Sequence, residues 1–371
     1  MTAGPDRPSV LVNLLWCVPG AVGGSEEYLV RQLYGLTQQP APQWNPTVAM
    51  AKGLKAAHPS LADRLPIKEA PFSSEHRARR ILGESTWLRR LERGAALVHH
   101  GGGTAPFTTR RPYVLTLHDL QFLTYPDYFS RLKRAYLSTV IPRSVRRAAV
   151  VAVPTEFVRD SVIDEYGADP AAVMVVPNGI EPAVSTDVTP PNVLRGRYDL
   201  GSGPIVVYPA VTHPHKNHAF LLKLLAGPWS DPDLRLVLCG GVGAAEGDVA
   251  ATSDPRVRRI GRVPDADRNG LLAMADAMVF PSRYEGFGAP LVEAMALGAP
   301  VVCSDAACIP EVVGDAAVVR PLRLDAWADA LVDVRERRDE LVTAGHLRAA
   351  GFTSEVSGAA LAAVYERAVG L

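Results

Sequence analysis

The sequence predicts an α/β protein built from two doubly wound parallel-sheet domains, and three observations carry that prediction. Short apolar runs alternate with helix-period segments from one end of the 371-residue chain to the other, which is the pattern of strand-helix-strand units. The length suits two domains of about 150 to 200 residues better than one core. The stretch "EPAVSTDVTPPNVL" at 181–194 replaces periodic apolar residues with proline, serine and threonine, the composition of a hinge or linker. The expected division is 1–182, a linker at 183–194, and 195–353, with a last helix at about 354–371.

In the first half the strand candidates are "SVLVNLLWCV", "NPTVAMA", "AALVHH", "PYVLTLHDL", "AVVAVPT" and "VMVVPNGI". Each is a short apolar run bounded by turn residues, as strands covered on both faces require. Helices are expected to begin near Ser25, Ser130 and Glu156; in the first of them Leu29, Leu33 and Leu36 keep the 3.6-residue period. In the second half the strands are "PIVVYPAV", "LRLVLCGG", "VRRIGRV", "AMVFPS" and "PVVCSD", with helices starting near Asn217 and within "PLVEAMALG". The closing segments "LDAWADALVDVRERRDELVTA" and "TSEVSGAALAAVYERAV" read as amphipathic scaffold.

Composition narrows the function. Lysine plus arginine equals aspartate plus glutamate at 39 each, and 47% of residues are apolar, which describes a soluble globular protein with no demand for a nucleic-acid partner. The charge is uneven: residues 1–182 carry 21 basic against 16 acidic side chains. Much of the excess lies in "EHRARR", "WLRRLERG" and "YFSRLKRAYLSTVIPRSVRR", either solvated helix faces or a surface for an anionic acceptor or membrane headgroups. Cys17, Cys239, Cys303 and Cys308 form no CxxC pair and sit in apolar runs, so buried reduced thiols are expected. No apolar run approaches the roughly 20 residues that span a bilayer, and "MTAGPDRPSV" lacks the regions of a secretory signal. A cytoplasmic protein is the expectation, with peripheral contact at the inner membrane face as its extension.

In doubly wound sheets ligands sit outside the carboxyl ends of the strands, so those ends are where chemistry is sought. After the first strand, Gly23 and Gly24 precede a helix, a loop that can bring backbone N–H groups to an anion or simply turn the chain. "TLHDL" puts His118 and Asp119 past the end of another strand. In "YPAVTHPHKNHAFLLKLLA", His215 and Lys216 stand at a helix mouth. A lysine there opposes the helix dipole unless an anion joins it. In "AMVFPSRYEGFGAPLVEAMALG", Gly286 and Gly288 allow a tight loop, Pro290 suits the first helical turn, and Glu285 and Glu293 bracket the helix N-terminus. Each glutamate alone would be ordinary helix chemistry; together they leave room between them for a diphosphate. The chain has neither a Walker A loop nor a GxGxxG, and no Asp-x-Asp or His/Cys cluster is expected at the strand ends, so no metal site is anticipated.

These stretches resemble the retaining glycosyltransferases of family 4, which have the GT-B fold of two Rossmann-like domains facing across a cleft. The resemblance runs from Leu11 to the C-terminus through "GGSEEYLVRQL", "LTLHDL", "VPTEFVRDSV", "VVPNGI", "HPHKN", "IPEVVGDAA" and, most specifically, 261–317. It implies that Glu285 and Glu293 are the E-x7-E pair, the first beside the donor sugar and the second on the nucleotide ribose. Lys216, with His215, would neutralise the donor diphosphate. Amides around Gly286, Phe287, Gly288 and Ala289, together with Leu291, would hold sugar and phosphates, and Val263 would meet the base. Gly23 and Gly24 match the glycine loop of the acceptor domain, His118 the histidine facing the sugar, and the last helix would cross back to the first domain.

One departure is that many relatives have an arginine about six residues before the lysine, where this chain has Ala210. The implied activity is metal-independent transfer of a hexose, with retention, from a nucleotide sugar to a glycolipid, polysaccharide or small glycoside. GDP-mannose is favoured over a UDP-sugar, and no resident cofactor is expected. The alternative is a nucleotide-sugar-binding GT-B protein with epimerase activity or no turnover.

Overall fold

A computed structural model describes residues 7–18, 23–39, 43–180 and 187–370. The chain forms two compact units, Met1–Gly179 with Thr353–Leu371, and Ile180–Phe352. The first contains seven strands: β1 (Ser9–Leu14), β2 (Asn45–Met50), β3 (Ile67–Glu69), β4 (Leu97–His100), β5 (Tyr113–Thr116), β6 (Val150–Val153) and β7 (Val173–Val175). They lie in the order β3-β2-β1-β4-β5-β6-β7, all parallel. Val10 pairs with Pro46 on one side and Leu97 on the other, so strand order reverses at the β1/β4 junction.

The second unit repeats the design with β8 (Ile205–Tyr208), β9 (Arg235–Leu238), β10 (Val257–Arg259), β11 (Ala277–Phe280), β12 (Val301–Ser304) and β13 (Val318–Arg320). The order β10-β9-β8-β11-β12-β13 is again wholly parallel, and its reversal falls between β8 and β11. Central strands such as "IVVY" and "AMVF" are buried along their whole length, which is why they are apolar without alternation.

The terminal helix Ser354–Val369 belongs to the first unit and crosses the helix Gly24–Thr37 backbone to backbone. A Cβ on Gly358 would stand 2.1 Å from the carbonyl carbon of Gly35, so only glycine permits this approach. The helix is capped by Thr353, whose side chain accepts from Val356 N at 3.2 Å. It delivers Tyr365 into the core, edge-on against Trp44 and within 2.9 Å of His99 Nδ1.

Departures from the expected elements are local. Strands β3 and β13 were not anticipated; each is three residues at a sheet edge, as are β7 and β10, which were anticipated. The helix Pro191–Arg197 begins inside the expected linker, with Pro191 at its first turn, where a missing N–H costs nothing. Residues 183–186 of that linker lie outside the described residues. The stretch 324–344 breaks into Leu324–Trp327, Ala330–Glu336 and the start of Arg338–Ala349. All four cysteines are buried and free; burial pushes the Cys239 thiol up to about 12. Among the described residues no helix is long and apolar enough to cross a membrane.

Candidate active site

In the second unit the segments leaving β8 and β11, the two strands at the reversal, carry the residues of interest. After β8 the chain turns through the short 3-10 segment Pro214–Lys216, and Asn217 takes a left-handed conformation (φ 58°) before the helix His218–Leu225. After β11 the loop 281–288 leads into the helix Ala289–Ala296, entered through Gly288 at φ 86°. These loops are stitched together. Arg283 N donates to His215 O at 2.7 Å. Asn217 donates to Pro281 O at 3.3 Å and accepts from the Arg283 guanidinium at 3.1 Å. From below, the Tyr208 hydroxyl donates to Lys216 O at 2.7 Å and lies 3.2 Å from Ser282 Oγ.

At the centre Lys216 Nζ contacts Glu285 Oε1 at 2.6 Å, both side chains largely buried. The anion that a lysine beside a helix N-terminus calls for is, in this structure, Glu285. The ammonium also stands 5.4 Å from the centroid of the Phe280 ring, a further favourable placement for a cation. His215 is half-buried and stacks on His213 at 5.8 Å between centroids. Burial and then the Lys216 charge lower its pKa to about 4, so at neutral pH the imidazole is uncharged. The Cys308 thiol donates to Glu285 O at 3.2 Å and fixes the loop from the far side.

Glu293 is buried one turn into the helix, 3.8 Å from the Arg268 guanidinium. Phe287 is buried edge-on against Phe352, and Leu291 is fully buried beneath the turn. Gly286 and Ala289 flank that turn. Val263 stands in the loop after β10, at the sheet edge and two strands from β8. Ala210 is buried, and a Cβ on Gly240 would meet its carbonyl oxygen at 2.0 Å. Backbone from the β9 loop thus lies close against Ala210, the position singled out by the family resemblance.

Sequence reasoning missed the supporting residues Tyr208, Asn217, Ser282, Arg283 and Arg268. Only "HKNH" and "PSRYEG", where Asn217, Ser282 and Arg283 adjoin site residues, could have pointed to any of them; Tyr208 and Arg268 lie outside both. It also overlooked two Asp-x-Asp triples. Asp231 and Asp233 make a turn before β9, at the opposite end of the sheet. Asp267 is satisfied by Thr189, Arg197 and Tyr198, and Asp265 pairs with Arg268. Among the described residues no group of three His, Cys, Asp or Glu side chains is placed to hold a metal ion. A cavity of about 320 Å³ opens at the amino-terminal ends of β8, β9 and β11, beside Trp229, Asp276 and Arg338. It opens at the end of the sheet opposite the Lys216–Glu285 pair, away from the strand carboxyl ends where open α/β sheets bind ligands.

In the first unit, His118 follows β5 and donates from Nε2 to the Gly101 carbonyl at 2.8 Å, because a carbonyl can only accept. That fixes the tautomer with Nδ1 as the acceptor nitrogen. Trp16 and Tyr28 pack on the ring at 5.6 and 5.5 Å. Burial pulls its pKa down to about 4 against the opposing effect of the Gly101 bond. Gly23 (φ 63°) and Gly24 open the helix after β1, and a Cβ on either would meet nothing within 4 Å.

Two family models match. "Glycosyltransferase Family 4" covers residues 22–184 and "Glycosyl transferases group 1" covers 203–337. The O-antigen chain mannosyltransferase B of Escherichia coli is 32% identical over 198 residues, 49% of this chain and 50% of the relative. D-inositol 3-phosphate glycosyltransferase of Kineococcus radiotolerans is 31% identical over 159 residues, 38% of this chain and 36% of the relative. The chain thus spans about half or less of the length of the curated relatives it matches. Among solved structures, Anabaena HepE in complex with UDP and glucose superposes with a TM-score of 0.74 at 20% identity, covering 97% of this chain and 100% of that one. WaaG, a glycosyltransferase involved in lipopolysaccharide biosynthesis, does so with 0.69 at 15% identity, covering 95% and 98%. At those identities they establish the fold, two parallel-sheet Rossmann-like domains of the GT-B class. With the two models taking in most of its length, the chain belongs to glycosyltransferase family 4, the group 1 glycosyl transferases.

Proposed function

We propose that this protein transfers a hexose, mannose by preference, from a nucleoside-diphosphate sugar to a hydroxyl acceptor with retention of configuration and without a metal. The observation that carries the proposal is the Lys216–Glu285 pair at the carboxyl ends of β8 and β11, where open α/β sheets bind ligands, with Glu293 buried one turn into the next helix. Breaking a glycosyl–phosphate bond builds positive charge at the anomeric carbon and negative charge on the departing diphosphate, and stabilising the latter is the larger requirement. Lys216 supplies a cation held in place before the reaction. The start of the helix Ala289–Ala296 supplies the positive end of a dipole. Glu285 orients the sugar and Glu293 takes the vicinal hydroxyls of the ribose. Same-face attack by the acceptor lets the leaving phosphate accept the acceptor's proton, which needs no enzymic nucleophile. His118, neutral and held in one tautomer, is assigned to the sugar on the family resemblance.

Mannose is favoured because two matched relatives, from Escherichia coli and Salmonella typhimurium, are O-antigen chain mannosyltransferases. The acceptor side belongs to the basic first unit. Its helix Arg131–Arg147 exposes Arg131, Leu132 (79% exposed) and Lys133 at its start and Arg146 and Arg147 at its far end. A glycolipid acceptor at a membrane surface suits that face.

Thermal unfolding against UDP, GDP, ADP, TDP and their hexose conjugates tests the donor. A ligand at a hundredfold excess over Kd adds about 2.7 kcal/mol, several degrees. GDP-mannose should stand out and should support transfer in EDTA with the α-configuration kept. A wild type stabilised by none of these nucleotides rejects the donor reading, and metal-reversible loss of all turnover rejects metal independence.

A further inference from the structure

Lys216 and Glu285 are assigned to different parts of the donor, the lysine to the diphosphate and the glutamate to the sugar. In the structure each is nevertheless the other's partner, at 2.6 Å, with side chains only 17% and 11% exposed. Both ends are braced by other contacts: Tyr208 holds the Lys216 carbonyl, Cys308 holds the Glu285 carbonyl, and the Arg283–His215 backbone bond ties the two loops together. At this burial neither charge can be left alone without a large desolvation cost. A diphosphate arriving at Lys216 brings like charge against Glu285, and such a neighbour is strongly unfavourable in a partly desolvated site. The carboxylate must then leave the lysine and find other donors. Hydroxyls of a sugar attached to that diphosphate supply them, whereas a free diphosphate supplies none.

We infer that the Lys216–Glu285 ion pair is an exchange device: Glu285 occupies the phosphate's place on Lys216 in the empty site, passes to the sugar hydroxyls when an intact donor binds, and reclaims Lys216 after transfer, expelling the diphosphate. The inference rests on the donor reading above. It explains how one short contact can serve two opposite needs, tight binding of the intact donor and release of its product. Glu285 is thereby a competitor of the product as well as a contact of the sugar.

The test is the affinity of UDP, GDP, ADP and TDP for the wild type, Glu285→Gln and Lys216→Ala, measured by calorimetry. Glutamine keeps the size of the side chain and removes its charge. The diphosphate that binds the wild type most tightly should bind Glu285→Gln at least ~3-fold more tightly, the removal of one partly buried ion-pair competitor. In Glu285→Gln alone turnover with the intact donor should fall and product inhibition deepen, and the gain in diphosphate affinity should vanish when Lys216→Ala is added. Glu285→Ala is measured alongside as a second charge removal, with fold retention checked by thermal unfolding. A wild type that binds a diphosphate while neither Glu285→Gln nor Glu285→Ala binds it more tightly overturns this inference and leaves the donor reading standing. A wild type that binds none of the four overturns both.

Discussion

A lysine beside the amino end of a helix sits against the dipole, and its tolerance there depends on what anion it meets. Lys216 meets Glu285 in the structure and, on the proposed function, a diphosphate during turnover. Lys216→Ala should therefore lower kcat/KM by at least ~100-fold, since one preorganised donor to a developing oxyanion is worth about 3 to 4 kcal/mol. A loss below ~3-fold in a folded variant would remove Lys216 from the chemistry. Glu293→Ala should act through donor affinity, because ribose contacts are equal in ground and transition states; a fall in kcat with KM unchanged would contradict the ribose role. These residues were legible because their chemistry conflicts with their position: a cation at a helix start, two carboxylates around a glycine turn. Tyr208, Arg283 and Cys308 were not legible. Tyr208 and Cys308 donate to backbone carbonyls, and Arg283 joins the loops through its own amide as well as its guanidinium; nothing in a side chain's identity announces a backbone partner.

Among the elements, strands buried on both faces show as apolar runs, and each such run proposed from the sequence became a strand. Edge strands β3 and β13 carry only three residues each; β7 and β10 are as short, and were found because "VMVVPNGI" and "VRRIGRV" repeat Val and Ile beyond the paired residues. The helix crossing at Gly35 and Gly358 was equally hidden, since a glycine inside a helix looks like a defect until its neighbour is known. Gly358→Ala places a methyl group 2.1 Å from backbone, so it should destabilise the first unit by about 1 to 3 kcal/mol, several degrees in Tm. Gly196→Ala, in the helix Pro191–Arg197 where a Cβ meets nothing within 4 Å, should be neutral or slightly stabilising. Equal melting temperatures for Gly358→Ala and wild type would mean the helices do not touch through their backbones.

For the molecule as a whole, buried imidazoles set the response to acid. His99, bonded to Tyr365 and Thr116, is fully buried, and burial lowers its pKa to about 3; His100 behaves alike. A histidine whose folded pKa lies below its unfolded value of about 6.5 contributes fully above that pH and loses its contribution as pH falls towards 3. The slope is about 1.4 kcal/mol per pH unit for one such group. Glu84 and Glu92, raised by burial, work in the opposite sense, because the folded state takes their protons first. Denaturant unfolding should therefore show stability level between pH 7 and 8 and declining below 6.5. His99→Gln, which cannot take up the proton, should decline less steeply whatever its stability at pH 7.5. Parallel pH profiles for variant and wild type would show that His99 is not held neutral by the fold.

The segment Thr353–Leu371, which carries the helix Ser354–Val369, closes a unit whose other residues all precede position 180. On the ribosome, β1 through β7 emerge long before the segment that seats Tyr365 against Trp44 and His99. The second unit is continuous in the chain, whereas the first without its last helix keeps an open groove beside Gly35. A chain truncated after residue 352 should thus pair a protease-resistant 180–352 fragment with a susceptible first unit, and restoring the last helix should end that vulnerability.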